Sequence, residues 1–287
     1  MKISEAFDSY GEYITIKGQS KRLIETHYYV KKTLTYVIGD KSISKLTLKD
    51  IHRWRKQLIT HKLPDGRTSK RAQNTIRCYI LRLRAVIKYM NQNGLKCINY
   101  ELIPIPKRED VVRTWLTEKE VASMIDNAYS LRNKFIISLF YSSGIRLSEL
   151  ISLDRDSIKN KKFTVVGKGK KARLCFIDNR TDKLMKQYLK TRTDNCPALI
   201  VSELYKARMS ASNIQLIIKN SAKRANISRP ITPHVLRHSF ATNFINNDGD
   251  IRPLSIMLGH ANLDTTSVYT HLVDNSLERK YQKFHTI

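Results

Sequence analysis

The sequence predicts a mainly α-helical protein of the α+β class, in which a four-helix domain precedes a mostly helical domain with a small β-hairpin. Apolar residues recur at every third or fourth position through most of the chain, which is the period of an amphipathic helix. One stretch instead reads as two short strands around a glycine-containing turn. Pro104 and Pro106 separate the two parts, because X-Pro steps disfavour helix.

Four helices are predicted before the two prolines, at residues 3–16, 20–38, 47–60 and 69–93. The third opens on Thr47 and Asp50, which are spaced as in a capping box. The fourth is the longest, and Gly94 ends it.

The second part mixes further helices with one β signal. Helices are predicted at residues 118–128, 131–142, 149–153, 182–190, 210–225, 233–246, 253–258 and 265–273. Residues 163–166 and 172–177 are rich in β-branched and aromatic side chains, and Gly167 and Gly169 lie between them. This arrangement is typical of a β-hairpin.

The charge of the chain points to a polyanionic partner. The 287 residues include 52 Lys+Arg and 25 Asp+Glu, a formal net charge of +27. Such an excess repels itself in the folded state, so nucleic acid is the first expected partner and an anionic membrane the second. The longest apolar stretch, residues 135–141, is far shorter than the roughly 20 residues of a spanning helix.

Two further absences narrow the class of protein. The N-terminus has no apolar signal core, so we expect a soluble intracellular protein. The four cysteines form no C-x-x-C pair, which argues against a zinc site or a disulfide framework. Buried or incidental thiols are expected.

The expected domain boundaries follow the proline-containing segment. We expect a first domain over residues 1–98, an exposed linker over 99–113 and a second domain over 114–287. Residues 1–110 carry 23 basic and 10 acidic residues, a net +13, and the remainder carries +14. Both parts being basic suits a protein that grips a duplex with two domains.

Two pairs of charged residues are candidates for binding an anion. Thr232 caps a predicted helix that places His234 and Arg237 on one face at its start, where backbone N–H groups and the helix dipole favour an anion. The alternative is a capping region with solvated charges. Arg146 precedes Glu149 by three residues, and this pair could equally be a surface ion pair of little energetic value.

Three more residues could carry chemistry. The first is His260, which follows Gly259, a glycine placed to end a helix by adopting positive φ. The second is Tyr269, on the next predicted helix. Either side chain could instead be structural. Lys168 lies in the hairpin turn, which does not match a Walker A loop and could be a solvated turn or reach into a groove.

Taken together, these residue types suit the cleavage of a phosphodiester. Two arginines can hold the non-bridging oxygens of a phosphate, and a histidine or lysine can transfer protons. A tyrosine can act as the nucleophile of a covalent step. The sequence shows no carboxylate cluster suited to two metal ions, so a metal-free route is favoured.

The order of these residues resembles the tyrosine recombinases of the phage integrase family, and among them most closely the compact Xer recombinases. The similarity lies in residues 143–150 (SGIRLSEL), 166–174 (VGKGKKARL), 232–242 (TPHVLRHSFAT) and 258–271 (LGHANLDTTSVYTH). The resemblance implies an N-terminal four-helix core-binding domain of the SAM-like type, a catalytic domain and a clamp around DNA.

The resemblance also implies a role for each residue. Tyr269 would attack a DNA phosphate and form a 3′-phosphotyrosyl bond, and Lys168 would act as the general acid toward the leaving 5′-oxygen. The remaining roles are these: Arg146 and Arg237 clamp the scissile phosphate, His234 assists proton transfer, His260 hydrogen-bonds the phosphate and Glu149 steadies the site. No metal, ATP or other cofactor is implied.

The family further implies the partners. These are double-stranded DNA with inverted half-sites, and a homo-tetramer, or a hetero-tetramer with a paralogue, acting through a Holliday junction. Residues 276–287, with apolar positions at helical spacing, resemble a C-terminal helix that docks into a neighbouring protomer; the alternative is a frayed end. The expected location is cytoplasmic and nucleoid-associated.

Several assignments stay open at this point. The candidates for contacting DNA outside the reaction centre are Lys70, Arg71, Arg77, Arg84, Asn213, Gln215 and Arg224. A Xer-like resolution of dimers is expected, with a transposon or phage integrase or a cointegrate resolvase as the alternative within the family. A basic regulator that only binds DNA and a type IB topoisomerase-like monomer are the alternatives outside it.

Overall fold

The computed structural model describes residues 1–60, 71–109, 114–167 and 172–259, and the chain divides into two compact units, Met1–Val112 and Arg113–Ile287. Most described residues are helical, and two strands form one small sheet. The predicted mainly α, α+β class is thereby confirmed. Across the described ranges, no helix is both long enough and apolar enough to cross a membrane.

The first unit is built from four helices around one core. They are α1 (Ile3–Ile16), α2 (Lys21–Ile38), α3 (Leu48–Thr60) and α4 (Gln73–Gln92), with short 3₁₀ turns at Ile43–Lys45 and Tyr100–Leu102. Trp54 of α3 is fully buried among them, and its indole N–H donates to Thr33 Oγ1 at 3.2 Å. A buried indole requires such a partner, because an unpaired donor in a core is costly.

The starts of α3 and α4 can be compared with the starts that the sequence predicts. The amide of Thr47 donates to Asp50 Oδ2 at 2.9 Å and the amide of Asp50 donates to Thr47 Oγ1 at 3.3 Å, which confirms the capping box. Helix α4 begins at Gln73, later than the predicted residue 69. Ala72 is extended, with ψ of 144°, and Arg71 beside it donates to the Tyr29 hydroxyl.

The proline-containing segment is largely exposed, but two of its residues are buried and its carbonyls are held by α4. Ile103 and Pro106 are buried. Arg84 Nη1 donates to the Ile103 carbonyl at 2.6 Å, and Arg77 Nη1 donates to the Pro106 carbonyl at 2.5 Å. An extended chain with prolines leaves its carbonyls without helical partners, so long side chains of the neighbouring helix satisfy them.

The second unit contains the other elements found in the described part of the chain. They are α5 (Glu118–Asp126), α6 (Leu131–Ser143), α7 (Leu147–Ser152), β1 (Lys162–Val166), β2 (Ala172–Phe176), α8 (Asn179–Lys190), α9 (Ala211–Arg224), α10 (Pro233–Asn246) and α11 (Ile251–Leu258). Helix α6 is buried on several faces and packs against α5, α8, α9 and α10. It therefore forms the centre of this unit.

The two strands pair antiparallel, as the sequence predicts. Phe163 lies opposite Cys175 and Val165 lies opposite Arg173, and these four residues face inward while their neighbours are exposed. The alternation is the two-residue period of a half-buried sheet. One consequence is that Arg173 lies on the inward face of the sheet.

Three helices of this unit begin before their predicted starts, each because of a residue at the cap. Asp178 accepts the Thr181 amide at 2.7 Å, and Asp250 accepts the Arg252 amide at 3.0 Å. Arg146 is the N-cap of α7, and its amide donates to Glu149 Oε2 at 2.7 Å. Side-chain acceptors satisfy amides that a helix start leaves unpaired, so each helix extends toward its cap.

Candidate active site

Arg237 is buried at the start of α10. The helix begins where the sequence predicts, with Thr232 Oγ1 accepting the Val235 amide at 3.3 Å. Arg237 Nη1 donates to the Gly144 carbonyl at 2.5 Å, and Nη2 donates to the Leu258 carbonyl at 2.6 Å. These carbonyls lie at the C-terminal ends of α6 and α11, where the helix dipoles concentrate partial negative charge and so stabilise a buried cation.

Arg146 and Glu149 form a closer unit than the surface ion pair that the sequence left open. Arg146 Nη1 donates to Glu149 Oε1 at 3.0 Å, and the Glu149 side chain is only 5% exposed. The Arg146 side chain is 36% exposed, and its Nη2 donates to the Gly259 carbonyl at 3.3 Å. Glu149 thus anchors one edge of a guanidinium that still faces solvent.

Arg173 completes this group, and the sequence reasoning did not single it out. From β2 it donates to both carboxylate oxygens of Glu149, at 2.7 and 2.6 Å, and from Nε to the Met257 carbonyl at 2.8 Å. The signal that could have found it is its inward position in a strand with apolar neighbours, because a lone charge there requires a partner.

Three arginines therefore meet at the end of α11. The consecutive carbonyls of Met257, Leu258 and Gly259 accept from Arg173, Arg237 and Arg146 respectively. Gly259 adopts φ of 62°, which confirms the predicted role of this glycine in ending the helix.

A surface cavity is lined by two of these arginines, Arg146 and Arg237. It lies at the starts of α7 and α10 and beside α9, and its lining residues are Ile145, Arg146, Leu147, Gln215, Thr232, Pro233, His234 and Arg237. His234 is exposed at the first turn of α10. The structure brings together Arg146, Glu149, His234 and Arg237, four of the predicted site residues. The other three, Lys168, His260 and Tyr269, lie outside the described residues, as does the predicted helix at residues 265–273.

The candidate DNA contacts fall into different settings. Arg77 and Arg84 donate to carbonyls of the segment after α4, and Arg71 donates to Tyr29. On α9, Asn213 and Gln215 are exposed, and Gln215 lines the cavity described above. Arg224 is exposed as well, and its guanidinium carbon lies 4.9 Å from the centre of the Tyr129 ring. Lys70 is outside the described residues.

The sequence of the second unit matches the phage integrase family over residues 114–276, more than half of the chain. The chain therefore belongs to the phage integrase family and is a tyrosine recombinase, an enzyme that cuts and rejoins DNA strands in Xer-like site-specific recombination.

Individual relatives match along most of their length. Tyrosine recombinase XerA of Pyrococcus horikoshii is 32% identical, with 98% of this chain and 93% of that protein covered. A tyrosine recombinase of Thermosipho africanus is 33% identical, with 95% and 96% covered. Tyrosine recombinase XerC of Histophilus somni is 32% identical, with 86% and 88% covered.

Solved structures share the fold. The crystal structure of XerA recombinase is 28% identical, with a TM-score of 0.54 and 99% of both chains covered. The Tn1549 transposon integrase in complex with transposon right end DNA has a TM-score of 0.76 at 17% identity, with 100% of both chains covered. A lambda integrase dimer bound to a core site has a TM-score of 0.75 at 15% identity, with 91% and 96% covered.

The buried carboxylate gives a prediction for the acid range. Burial by itself raises the pKa of Glu149, but the donors from Arg173 and Arg146 outweigh it and lower the pKa from 4.5 to about 2. Because the folded pKa is the lower one, this group stabilises the fold fully above pH 4.5, and that contribution is lost as the pH falls toward 2. Glu149→Gln should therefore lose less free energy of unfolding than the wild type between pH 5 and pH 3.

Urea unfolding at a series of pH values measures this difference. Above pH 5 the two curves of stability against pH should run parallel, with the variant lower, because Gln leaves Arg173 without its charge partner. Identical slopes below pH 5 would show that Glu149 is not held ionised by its two arginines.

Proposed function

We propose that Arg146 and Arg237 hold the scissile phosphate and that Tyr269 is the nucleophile that becomes joined to the 3′ end of the cut strand. Attack on a phosphodiester gathers negative charge on the non-bridging oxygens, and fixed guanidinium groups stabilise that charge without reorganising. Arg237 is fixed by two helix ends, and Arg146 is fixed by Glu149. Each side chain is thus oriented before DNA arrives.

The remaining roles concern protons and hydrogen bonds. Lys168 protonates the departing 5′-oxygen, His234 assists proton transfer and His260 hydrogen-bonds the phosphate. Support comes from His234, which is exposed in the cavity that Arg146 and Arg237 also line. The reaction conserves the energy of the broken bond in the phosphotyrosyl link, so rejoining requires only the attack of a 5′-hydroxyl on that link.

One observation carries the proposal. Arg146 and Arg237 come from separate elements, α7 and α10, and yet donate to adjacent carbonyls, those of Gly259 and Leu258. Their convergence creates a cationic surface suited to one phosphate, and the chain leads from it directly to His260 and on to Tyr269.

The proposal extends to the domains and the assembly. Residues 1–98, within the first unit, would act as the core-binding domain, with residues 99–113 as the linker and residues 114–287 as the catalytic domain. Both are basic, which suits two units that bind one duplex. Four protomers on paired inverted half-sites, with residues 276–287 docking a neighbour, would complete the assembly, alone or with a paralogue. A lambda integrase tetramer has been solved on a Holliday junction.

For the biological role we propose dimer resolution of a chromosome or another element, in the cytoplasm and at the nucleoid. Support comes from relatives named XerA and XerC that match over almost their whole length. The alternative, integration or cointegrate resolution, is favoured only by the fold shared with the Tn1549 and lambda integrases.

The test is to locate the covalent bond. Duplexes that bind the protein are selected from a randomised pool, and a nicked version of the selected half-site traps the cleaved intermediate. Protease and nuclease digestion followed by mass spectrometry should find a nucleotide remnant on Tyr269 and on no other tyrosine, with Tyr281 of the same region as the internal control. Trapping on a different tyrosine, or tight binding without any adduct, would refute the assignment.

A further inference from the structure

Arg173 is held in place by three acceptors. Its side chain is 6% exposed, on the inward face of β2. It donates to the two oxygens of Glu149 at 2.7 and 2.6 Å and to the Met257 carbonyl at 2.8 Å. A guanidinium bound along two edges in this way cannot rotate without breaking charge-assisted hydrogen bonds, which are the stronger kind.

Glu149, held by Arg173, in turn positions Arg146. Its Oε1 accepts from Arg173 Nη1 and from Arg146 Nη1, and its Oε2 accepts from Arg173 Nη2 and from the Arg146 amide. The carboxylate therefore lies between the two arginines, and its orientation is set by the buried one. Arg146 is the more exposed member of the three and the one that can reach a ligand.

The balance of charge gives Arg173 a second effect. A buried carboxylate that faced Arg146 alone would form a simple pair, and it would offset the charge that Arg146 offers to a phosphate. With Arg173 present, Glu149 is shared between two cations. One positive charge of the group therefore remains for the DNA.

We infer that Arg173 is a positioning residue for strand cleavage: it fixes Glu149, so that this carboxylate orients Arg146 toward the DNA phosphate without neutralising it. The inference rests on the proposed function, in which Arg146 holds the scissile phosphate. Arg173 acts through Glu149 and does not itself touch the DNA.

The same unit offers a matched control. Arg192 is 3% exposed and donates to both oxygens of Asp194, at 2.6 and 3.0 Å. Its other acceptors are carbonyls of Cys196, Ala198 and Leu199. Arg192→Gln therefore breaks a buried arginine–carboxylate pair of the same kind, on a side chain that makes no bond to the predicted site residues in the described part of the chain.

The experiment compares Arg173→Gln, Arg173→Lys and Arg192→Gln with the wild type. On the nicked half-site duplex selected for binding, single-turnover cleavage and the Kd for the uncut duplex are measured separately, and thermal unfolding is recorded for each protein. Arg173→Gln should lower the cleavage rate on the order of 10–100-fold, because misplacing a reacting group by about 1 Å has such an effect. Its Kd should stay within about threefold of the wild type, because most of the binding charge lies elsewhere.

The lysine variant covers the case in which Arg173→Gln does not fold. A lysine at this position keeps the charge but cannot make the bidentate pair of hydrogen bonds with Glu149, so the cleavage rate of Arg173→Lys should fall roughly tenfold. Arg192→Gln should unfold at a lower temperature than the wild type, yet cleave within about threefold of it at a temperature where both are folded.

A double variant tests the route through Glu149. If Arg173 acts through that carboxylate, the losses from Arg173→Gln and Glu149→Gln should not multiply, and the double variant should cleave no more slowly than the slower single one. Multiplying losses would show that Arg173 acts independently of Glu149 and would overturn the inference.

Two further results would also overturn it. One is cleavage within about threefold of the wild type by both folded Arg173 variants. The other is a fall in cleavage rate in Arg192→Gln as large as that in Arg173→Gln, which would mean that the effect of Arg173 comes from reduced stability of the fold. Failure of the wild type to form an adduct through Tyr269 would instead refute the proposed function, so the two failures are distinguishable.

Discussion

Arg237→Ala should cleave a nicked half-site duplex about 1000-fold more slowly than the wild type, since an arginine that stabilises the developing charge on a phosphoryl group contributes on the order of 1000-fold. Arg237→Lys should be nearly as slow. A lysine carries all its donors on one nitrogen, so it cannot span the Gly144 and Leu258 carbonyls as the two guanidinium nitrogens of Arg237 do and would lose the fixed orientation toward the phosphate. Single-turnover cleavage at saturating DNA measures the effect.

Arg180→Gln serves as the control for this prediction. Arg180 lies on α8, is 46% exposed and pairs with Asp126, so its loss should leave the cleavage rate unchanged. The alanine variant should also lose roughly 1–3 kcal/mol of unfolding free energy, because two buried carbonyls lose a donor. Cleavage at the wild-type rate by folded Arg237→Ala would exclude Arg237 from the phosphate clamp.

Gly144→Ala should destabilise the second unit by roughly 2–4 kcal/mol, for two reasons that add. Gly144 ends α6 at φ of 60°, a conformation that L residues rarely adopt. A Cβ there would also lie 2.5 Å from Cδ1 and 2.8 Å from Cε1 of Phe240, which packs in a small core with α11. The Phe240 ring would have to move, and with it the site-forming end of α11.

Gly94→Ala separates the two reasons. Gly94 has φ of 81°, but a Cβ there meets nothing within 4 Å, so this variant should lose only about 1 kcal/mol. Urea unfolding monitored for each unit gives both values. Equal losses in the two variants would mean that the contact with Phe240 is relieved without strain.

The sequence predicts the helices of this chain well and their burial poorly. Amphipathic elements such as α3 and α8 follow the helical period, so both their existence and their inward faces could be predicted. Helices α6 and α10 are buried on several sides. Their buried polar residues, including Asn133, Ser239 and Asn243, cannot be distinguished in the sequence from solvent-facing ones.

In the candidate site, too, the sequence shows the spacing of residues but not their burial. The spacing of Arg146 and Glu149 is visible in the sequence, but a pair three residues apart has the same spacing whether it is exposed or buried. Only the packing of α7 against neighbouring elements shows that Glu149 is buried. Arg173 looks like one more lysine or arginine near a basic turn, and its importance depends on β2 turning it inward toward a residue of another element.

The three carbonyls at the end of α11 couple the arginines to one another. Met257, Leu258 and Gly259 are consecutive in the chain, so a displacement of their backbone would alter the hydrogen bonds of Arg173, Arg237 and Arg146 together. One short stretch of backbone therefore helps to position all three guanidinium groups, so a substitution that shifts the end of α11 should affect all three at once. The C-terminal turn of one eight-residue helix is thus a single point of vulnerability for the whole group of charges.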